Sequence, residues 1–286
     1  MGIKGVDQFL SDKGIGYYCK KGNKPAPNQD DFCILIDGET VIIGVFDGHG
    51  IYGHICSNIV QHLIIKFLLS NPNYKLDPEL ALKQCFAQCD AALRVKATKE
   101  GQFSILFSGT TAVFMMHRGS DLYIAHVGDS RAVLARLDNS GALTALSLTR
   151  DHWPEIAEER CRVEGCNGEI RKQDSDSPSR IFGRGEDYPG LAMSRAIGDD
   201  IGKCFGVIPE PEVSHMKIDN KCQFVSLCSD GVWEFMRNDE VAAMIHTNGK
   251  GKARKSAFAV AQQAYNLWIE HESNTSDDIT CVIYYL

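Results

Sequence analysis

Residues 40–50 read TVIIGVFDGHG. An almost unbroken apolar run, rich in β-branched residues, ends abruptly in Asp, His and two glycines. Such a run reads as a buried strand that stops at a turn. Just upstream, FCILID at 32–37 has the same character and is separated from it by Gly38 and Glu39, a hairpin signal. The pair therefore predicts two antiparallel strands. Burying Val45 and Phe46 is favourable, but an ionised Asp47 beside them requires a compensating partner. What stands opposite Asp47 is the question that organises the rest of the chain.

Working outward, IYGHICSNIVQHLIIKFLLS at 51–70 and PELALKQCFAQCDAALRVKA at 78–97 carry apolar residues at helical spacing. Proline near the start of the second suits a first helical turn. Period-two runs follow: GTTAVFMMH (109–117), DLYIAHVG (121–128), RAVLARL (131–137) and ALTALSL (142–148), joined by Gly, Asp and Asn turns. WPEIAEERCRVEGC at 153–166 predicts a helix opening at Pro154 and ending near Gly165. Residues 166–189 are polar, rich in Gly, Ser and Asp, and aperiodic, which predicts a long functional loop. QFVSLCSDG (223–231) and DDITCVIYYL (277–286) are strands. NDEVAAMIHT (238–247), with Asn238 as N-cap, and KSAFAVAQQAYNLWIEHE (255–272) are helices. Helices come in sequential pairs and strands cluster, which is the grammar of antiparallel sheets covered by helices rather than of alternating βαβ units. No composition break divides the 286 residues, so one domain over 1–286 is expected.

Composition narrows the function classes. The chain is 44% hydrophobic and 23% charged with a net charge of -7, and no basic stripe marks a nucleic-acid footprint. No apolar run is long enough to span a bilayer, and the first residues, MGIKGVDQFL, lack a secretory apolar segment. Met1-Gly2 is followed by Val6 where a myristoylation signal prefers Ser or Thr. Eleven cysteines, an odd number, fit free thiols in a reducing compartment, and a cytoplasmic or nuclear location is expected. Cys161 and Cys166 in CRVEGC lack the second pair a zinc site needs.

The Asp47 grammar recurs. Asp230 ends the apolar run VSLCSDG. Asp129 follows YIAHVG, Asp199 follows LAMSRAIG, Asp277 opens the last strand, and Asp30 and Asp31 precede FCILI. Taken singly, each is ordinary turn chemistry. Together, carboxylates at the ends of several strands repel one another unless a cation lies among them. An all-oxygen set suits magnesium, manganese or calcium better than zinc. No contiguous D-x-[DN]-x-[DN]-G calcium loop appears; DSDS at 174–177 lacks the Gly and Glu and reads as a solvated loop. A scattered set of aspartates suits a two-metal catalytic site. Neither a P-loop, an HExxH helix, a G-x-S-x-G elbow nor a C-x5-R loop is present.

NQDDF, VFDGHG, SGTTAVF, LYIAHVGDSRAVL, LTRDHWP, GLAMSRAIGD, LCSDGVWEFM and SDDITCVIYY, in this order, resemble the metal-dependent serine/threonine protein phosphatases of type 2C, the PPM family. The resemblance runs from about residue 15 to the C-terminus, and the GLAMSRAIGD segment looks like plant and protist members. It implies an α+β fold, an α-β-β-α sandwich of two antiparallel sheets. It implies hydrolysis of phosphoserine and phosphothreonine in proteins by a water activated between two Mg2+ or Mn2+ ions, with no covalent intermediate. In that reading Asp47 bridges both ions, Gly48 offers its carbonyl, and Asp230 and Asp277 complete the ligands. Asp129 and Asp199 match positions of a third ion, and His49 matches the general acid for the leaving alcohol.

Two departures stand out. Gln29 occupies a position where many animal members have Glu, which shifts the expected ligand to Asp30. No Arg precedes it for the phosphate; Lys20, Lys21 and Lys24 are available, with Lys21 or Lys24 expected to bind phosphate as a point charge. These departures motivate the alternative of a pseudophosphatase that binds phosphoproteins; a small-molecule phosphatase and a structural calcium protein are further alternatives. Arg131 and Arg195 are expected to form ion pairs near the Asp cluster. Trp153 and Trp233 are expected in the core, Glu234 just outside the ligand set, and His54, His62 and His126 as ordinary hydrogen-bonded histidines. The 166–189 loop corresponds to the family's flap, assigned to substrate choice. A monomer acting on phosphoprotein substrates is the expectation.

Overall fold

The computed structural model describes residues 3–172 and 178–286. Met1-Gly2, Gln173 and all of DSDS (174–177) lie outside the described residues.

Two antiparallel sheets form the centre. One has five strands in the order β1 (Ile15–Lys20), β15 (Ile279–Tyr285), β14 (Cys222–Cys228), β7 (Arg131–Leu137) and β8 (Leu143–Ser147). The other has β12 (Ile197–Gly198), β4 (Gly109–Thr110), β3 (Thr40–His49), β5 (Ala112–Arg118), β6 (Asp121–Val127) and β13 (Glu212–Lys217), with β2 (Asp30–Asp37) also paired to β3. Helices α2 (Gly53–Ser70) and α3 (Pro78–Glu100) pack on the second sheet, and α7 (Asn238–Asn248) and α8 (Ala253–His271) on the first. The remaining helices are α1 (Ile3–Asp12), α4 (Ala157–Gly165) and the single turns α5 (Asp200–Lys203) and α6 (Asp230–Trp233). The result is the expected α-β-β-α layering.

TVIIGVF explains why the layers stack this way. Side chains on a strand alternate between faces. Val41, Ile43 and Val45 point to the other sheet, where Val225, Leu227 and Val282 meet them. Ile42 and Phe46 point the opposite way, to Val60, Ile64 and Phe86 of the α2/α3 layer. Both faces are covered, so the strand reads as a continuous apolar run instead of an alternating one. β7 repeats the device: Val133 and Ala135 face α7 and α8, while Ala132 and Leu134 face the second sheet. All eleven cysteines are free thiols. Among the described residues no helix is long and apolar enough to cross a membrane.

Several local expectations need correction. The stretch 166–189 carries strands β9 (Gly168–Arg171) and β10 (Arg180–Gly183), and β11 (Pro189–Leu191) completes a small three-stranded antiparallel sheet. Its strands are too short to show a period. The helix expected from Pro154 begins at Ala157. Asn238 is the first residue of α7, not its cap; its side chain is taken by Arg131, and Glu240 accepts the Arg237 N–H instead. Trp153 is 51% exposed, outside the core, whereas Trp233 is buried and donates to the Cys228 carbonyl.

Candidate metal centre and its surroundings

Antiparallel pairing brings the start of one strand beside the end of its neighbour. β2 and β3 are in register with Asp30 directly opposite Asp47. β14 runs into Asp230 while β15, its neighbour, starts just after Asp277 and Asp278. β6 leads into Asp129 before β7 begins. The carboxylates therefore gather at one end of both sheets, where β15 touches β2 and β3. Like charges opposite each other on a sheet are destabilising.

The electrostatics record that conflict. Burial, then the charges of Asp230, Asp30 and Asp277, push the Asp47 carboxyl well above its usual range. Burial, then Asp129 and Asp277, does the same to Asp230. Burial raises Asp30 to about 7, although Ser229 and Thr280 oppose it. Burial and Asp151 raise Asp129 to about 6. Buried oxygens Oδ1 of Asp30, Asp129 and Asp199 have no hydrogen-bond partner. Buried acceptors without donors are rare in proteins. An all-carboxylate set with orphaned oxygens fits a hard divalent cation.

The sequence-predicted residues fall as follows. Asp30, Asp47, Asp230 and Asp277 influence one another directly. Gly48 is buried near the end of β3, against Gly53, the first residue of α2. A Cβ on it would stand 2.2 Å from the Gly53 carbonyl oxygen, so only glycine lets the helix begin there. His49 Nε2 lies 2.6 Å from Asp199 Oδ2. Burial disfavours the imidazolium, but Asp199 and then Asp129 outweigh it and raise the His49 pKa. Asp199 is thus brought to His49, and Asp129 to Asp230 and His49. Lys24 Nζ is 2.7 Å from Asp277 Oδ2. Lys21 instead donates to the Gly22 and Lys24 carbonyls, away from the cluster. Gln29 donates its side-chain amide to the Gly50 carbonyl at 2.7 Å.

Supporting residues escaped the sequence reading. Asp278 accepts the backbone N–H groups of Gly22 and Gln29, each at 2.7 Å, and so pins the segment that carries Lys24. Ser229 donates to Asp30 at 2.7 Å. Thr111 accepts the Asp47 N–H and hydrogen-bonds Ser130 beside Asp129. Asp90, on α3, accepts the Gly198 N–H and pairs with Lys203 on α5, which fixes the turn holding Asp199 in a left-handed conformation (φ 52°). The doubled Asp at 277–278 is the only local hint, because most of these partners are far away in sequence.

Arg131 forms a bidentate pair with Asp151, next to Asp129, and stacks near Trp233. Arg195 departs from expectation: it pairs with Glu159, not with the Asp cluster. His54 keeps an unpartnered Nδ1, and His62 contacts Gln61. Glu234 is exposed, though its charge reaches Asp129. His126, expected to be ordinary, stacks on His152 with centroids 4.5 Å apart and planes 13° apart. With Glu212 these histidines offer three ligand atoms within 4.8 Å. A cation held by imidazole lies in the ring plane, however, and two stacked planes do not share one. Glu212 is also already paired with Arg150 at 2.8 Å. The aspartate cluster is the better cation site.

A family model described as Protein phosphatase 2C matches residues 28–275. The chain is 37% identical to "Probable protein phosphatase 2C 72" of Arabidopsis thaliana, over 99% of this chain and 88% of that one. It is 35% identical to "Probable protein phosphatase 2C 64" of Oryza sativa subsp. japonica, over 94% of this chain and 64% of that one. In fold it is similar to the crystal structure of serine-threonine phosphatase 2C from Toxoplasma gondii, with a TM-score of 0.84, 20% identity, and 95% and 94% of the two chains covered.

Proposed function

The chain belongs to the protein phosphatase 2C family of serine/threonine phosphatases, and from that premise we propose that it hydrolyses phosphoserine and phosphothreonine with two Mg2+ or Mn2+ ions at the aspartate cluster. The observation that carries this reading is the convergence of Asp30, Asp47, Asp230 and Asp277, where burial and the neighbouring carboxylates raise the pKa of Asp30, Asp47 and Asp230 and one buried Asp30 oxygen has no donor. When bound, the ions supply neutralisation of phosphoryl charge and a lowered pKa for water.

The chain's own residues have distinct tasks. Asp47, opposite Asp30 and beside Asp230, would hold the cations together with them. Asp230, just after β14, and Asp277, just before β15, stand at strand ends of the other sheet and close the cluster, so the site forms only when the two sheets are packed. His49 is held by Asp199 at 2.6 Å, which orients the ring and favours its protonated form. A protonated imidazole beside the cluster is suited to give that proton to the departing serine or threonine oxygen. Lys24 is the cationic side chain already at the cluster, and its ammonium can meet phosphate oxygens as a point charge. Asp129 and Asp199 are left for a third, weaker cation.

The alternative of a phosphoprotein-binding pseudophosphatase rests on Gln29. Its side chain is engaged with Gly50, at the turn that follows His49, while Asp30 keeps a free oxygen. Gln29 therefore has a structural partner, and the ligand set does not depend on it. The experiment is phosphate release from a phosphothreonine peptide and from a panel of phosphorylated metabolites, with and without Mn2+. Metal-dependent turnover of the peptide in preference to the metabolites is expected. Absence of peptide turnover by the folded, Mn2+-saturated chain overturns the reading.

A further inference from the structure

Ile51, two residues beyond His49, is 80% exposed; Phe107 is 50% and Tyr188 41% exposed. Single exposed apolar side chains are ordinary, but a contiguous set marks a contact surface. The Phe107 and Tyr188 rings meet, and the backbone on either side of Ile51 lies against Phe107 and Ser108. Residues 50–52 lie directly on 107–108: a Cβ on Gly50 would stand 2.0 Å from the Phe107 carbonyl oxygen, and the Tyr52 N–H donates to Ser108 Oγ at 3.1 Å. The Phe107 ring meets Tyr188 edge-on at 6.1 Å, and Tyr188 leans on Phe205.

The set is also built onto the catalytic residues. Ser108 accepts the Asp199 N–H at 3.0 Å, and Gly109 pairs with His49 across β4 and β3. At one end the apolar rim joins the loop that carries His49. At the other it reaches β10 and β11, because the Gly183 N–H donates to the Tyr188 carbonyl. Two residues of chain span at most about 7 Å, so Ile51 lies within that Cα distance of His49. A polypeptide whose phosphorylated residue delivers its leaving oxygen to His49 must cross this neighbourhood within about two residues.

We propose that Ile51, Phe107 and Tyr188 form a docking rim for an apolar or aromatic residue of the phosphoprotein, within about two positions of the phosphorylated Ser or Thr. This rests on the reading given under Proposed function and adds the substrate class to it. The occupant is a peptide side chain because the rim is continuous with the place where the peptide's phosphate is handled. A second copy of this chain is the competing occupant.

The test uses the full chain with Mn2+ and phosphothreonine peptides identical except for Leu or Ser at each of the two positions on either side. The readout is the ratio of kcat/KM for the Leu and Ser peptides within one enzyme preparation, which does not depend on the folded fraction. Burial of one apolar side chain on a partly open surface predicts a wild-type ratio of roughly five- to tenfold at one position or more. Ile51→Ser and Phe107→Ser bring the ratio towards one, mainly through KM. Phe107→Leu keeps most of it. Leu76→Ser, an 86% exposed residue on the α2–α3 connection, leaves it unchanged.

A wild-type ratio near one at all four positions, with both peptides hydrolysed, overturns the rim alone. So does a ratio that survives Ile51→Ser and Phe107→Ser, or sedimentation that shows a dimer dispersed by Ile51→Ser. If neither the peptides nor a small aryl phosphate is hydrolysed with metal, the phosphatase reading fails and the rim with it.

Discussion

Glu159 and Asp47 are both acids withdrawn from bulk water, yet their surroundings drive them in opposite directions. Glu159, on α4, has no exposed surface. Burial opposes its ionisation, but Arg162, Arg195 and Ser194 surround it and hold its carboxyl far below the usual range. Arg195 Nη2 stands 2.6 Å from Glu159 Oε1. Nearby, His152 at 3.7 Å and Arg150 at 2.8 Å keep Glu212 down to about 2. Among the described residues no arginine pairs with Asp47; burial and the charges of Asp230, Asp30 and Asp277 push its carboxyl up. The chain neutralises its structural acids with its own cations. At the strand ends only Asp277 has such a partner, Lys24, among the described residues, and Asp30, Asp47 and Asp230 face other carboxylates. Several carboxylates gathered in one place, with buried oxygens that lack donors and pKa values pushed up, mark a site rather than the scaffold.

That contrast can be broken most sharply at Asp230. Asp230→Asn should lower Mn2+-dependent turnover by at least about a thousandfold. Binding of Mn2+ raises Tm of the wild type by mass action, and the variant should lose most of that increase while its metal-free Tm stays the same or rises, because one repelling charge is gone. A metal-free Tm that collapses in the variant would instead place Asp230 with the structural acids.

Glu159 should behave in the opposite way. Glu159→Ala leaves Arg162 and Arg195 without their carboxylate and should cost about 3 kcal/mol in urea unfolding, with or without metal. Arg162 also holds the Gly206 and Ser194 carbonyls, so the loss spreads to the turn below β9–β11. A cost no larger than that of a surface change would erase the distinction between the two groups.

The smallest effect is at His126, inside the arginine–glutamate region. Burial, then the neighbouring His152, lowers its pKa to about 4. The unfolded chain, near 6.5, binds the proton more readily, so stability is full above about 6.5 and falls as pH drops towards 4. Between pH 7 and 5 this amounts to about 2 kcal/mol. Urea midpoints at the two pH values should differ less in His126→Asn than in the wild type. An unchanged difference would show that His126 binds its proton as readily in the folded protein as in the unfolded chain.

Much of the fold was legible because its signals are local. The hairpin at Gly38-Glu39, the period-two strands and the paired amphipathic helices each announce themselves within a dozen residues. The errors came where local chemistry was outbid. Asn238 looks like a cap, but Arg131 claims its side chain from β7. Arg195 follows a Ser near an Asp-rich segment, but α4 brings Glu159 to it. The strands of 168–183 are four residues each, too short for a period to emerge from polar sequence.

The sequence by itself determined which residues end the strands. Apolar runs that stop in Asp-Gly set Asp47 and Asp230 at strand termini, and that follows from what a buried strand tolerates. Only the tertiary structure decided that these termini share one end of two stacked sheets, that Asp30 faces Asp47, that Lys24 rather than Lys21 reaches Asp277, and that Asp278 ties down a segment about 250 residues earlier in the chain. The reason is physical: burial and turn preference act on a residue and its neighbours, whereas charge repulsion and hydrogen bonding act across space. A one-dimensional pattern fixes the first, and the second takes its value only from the packed sheets.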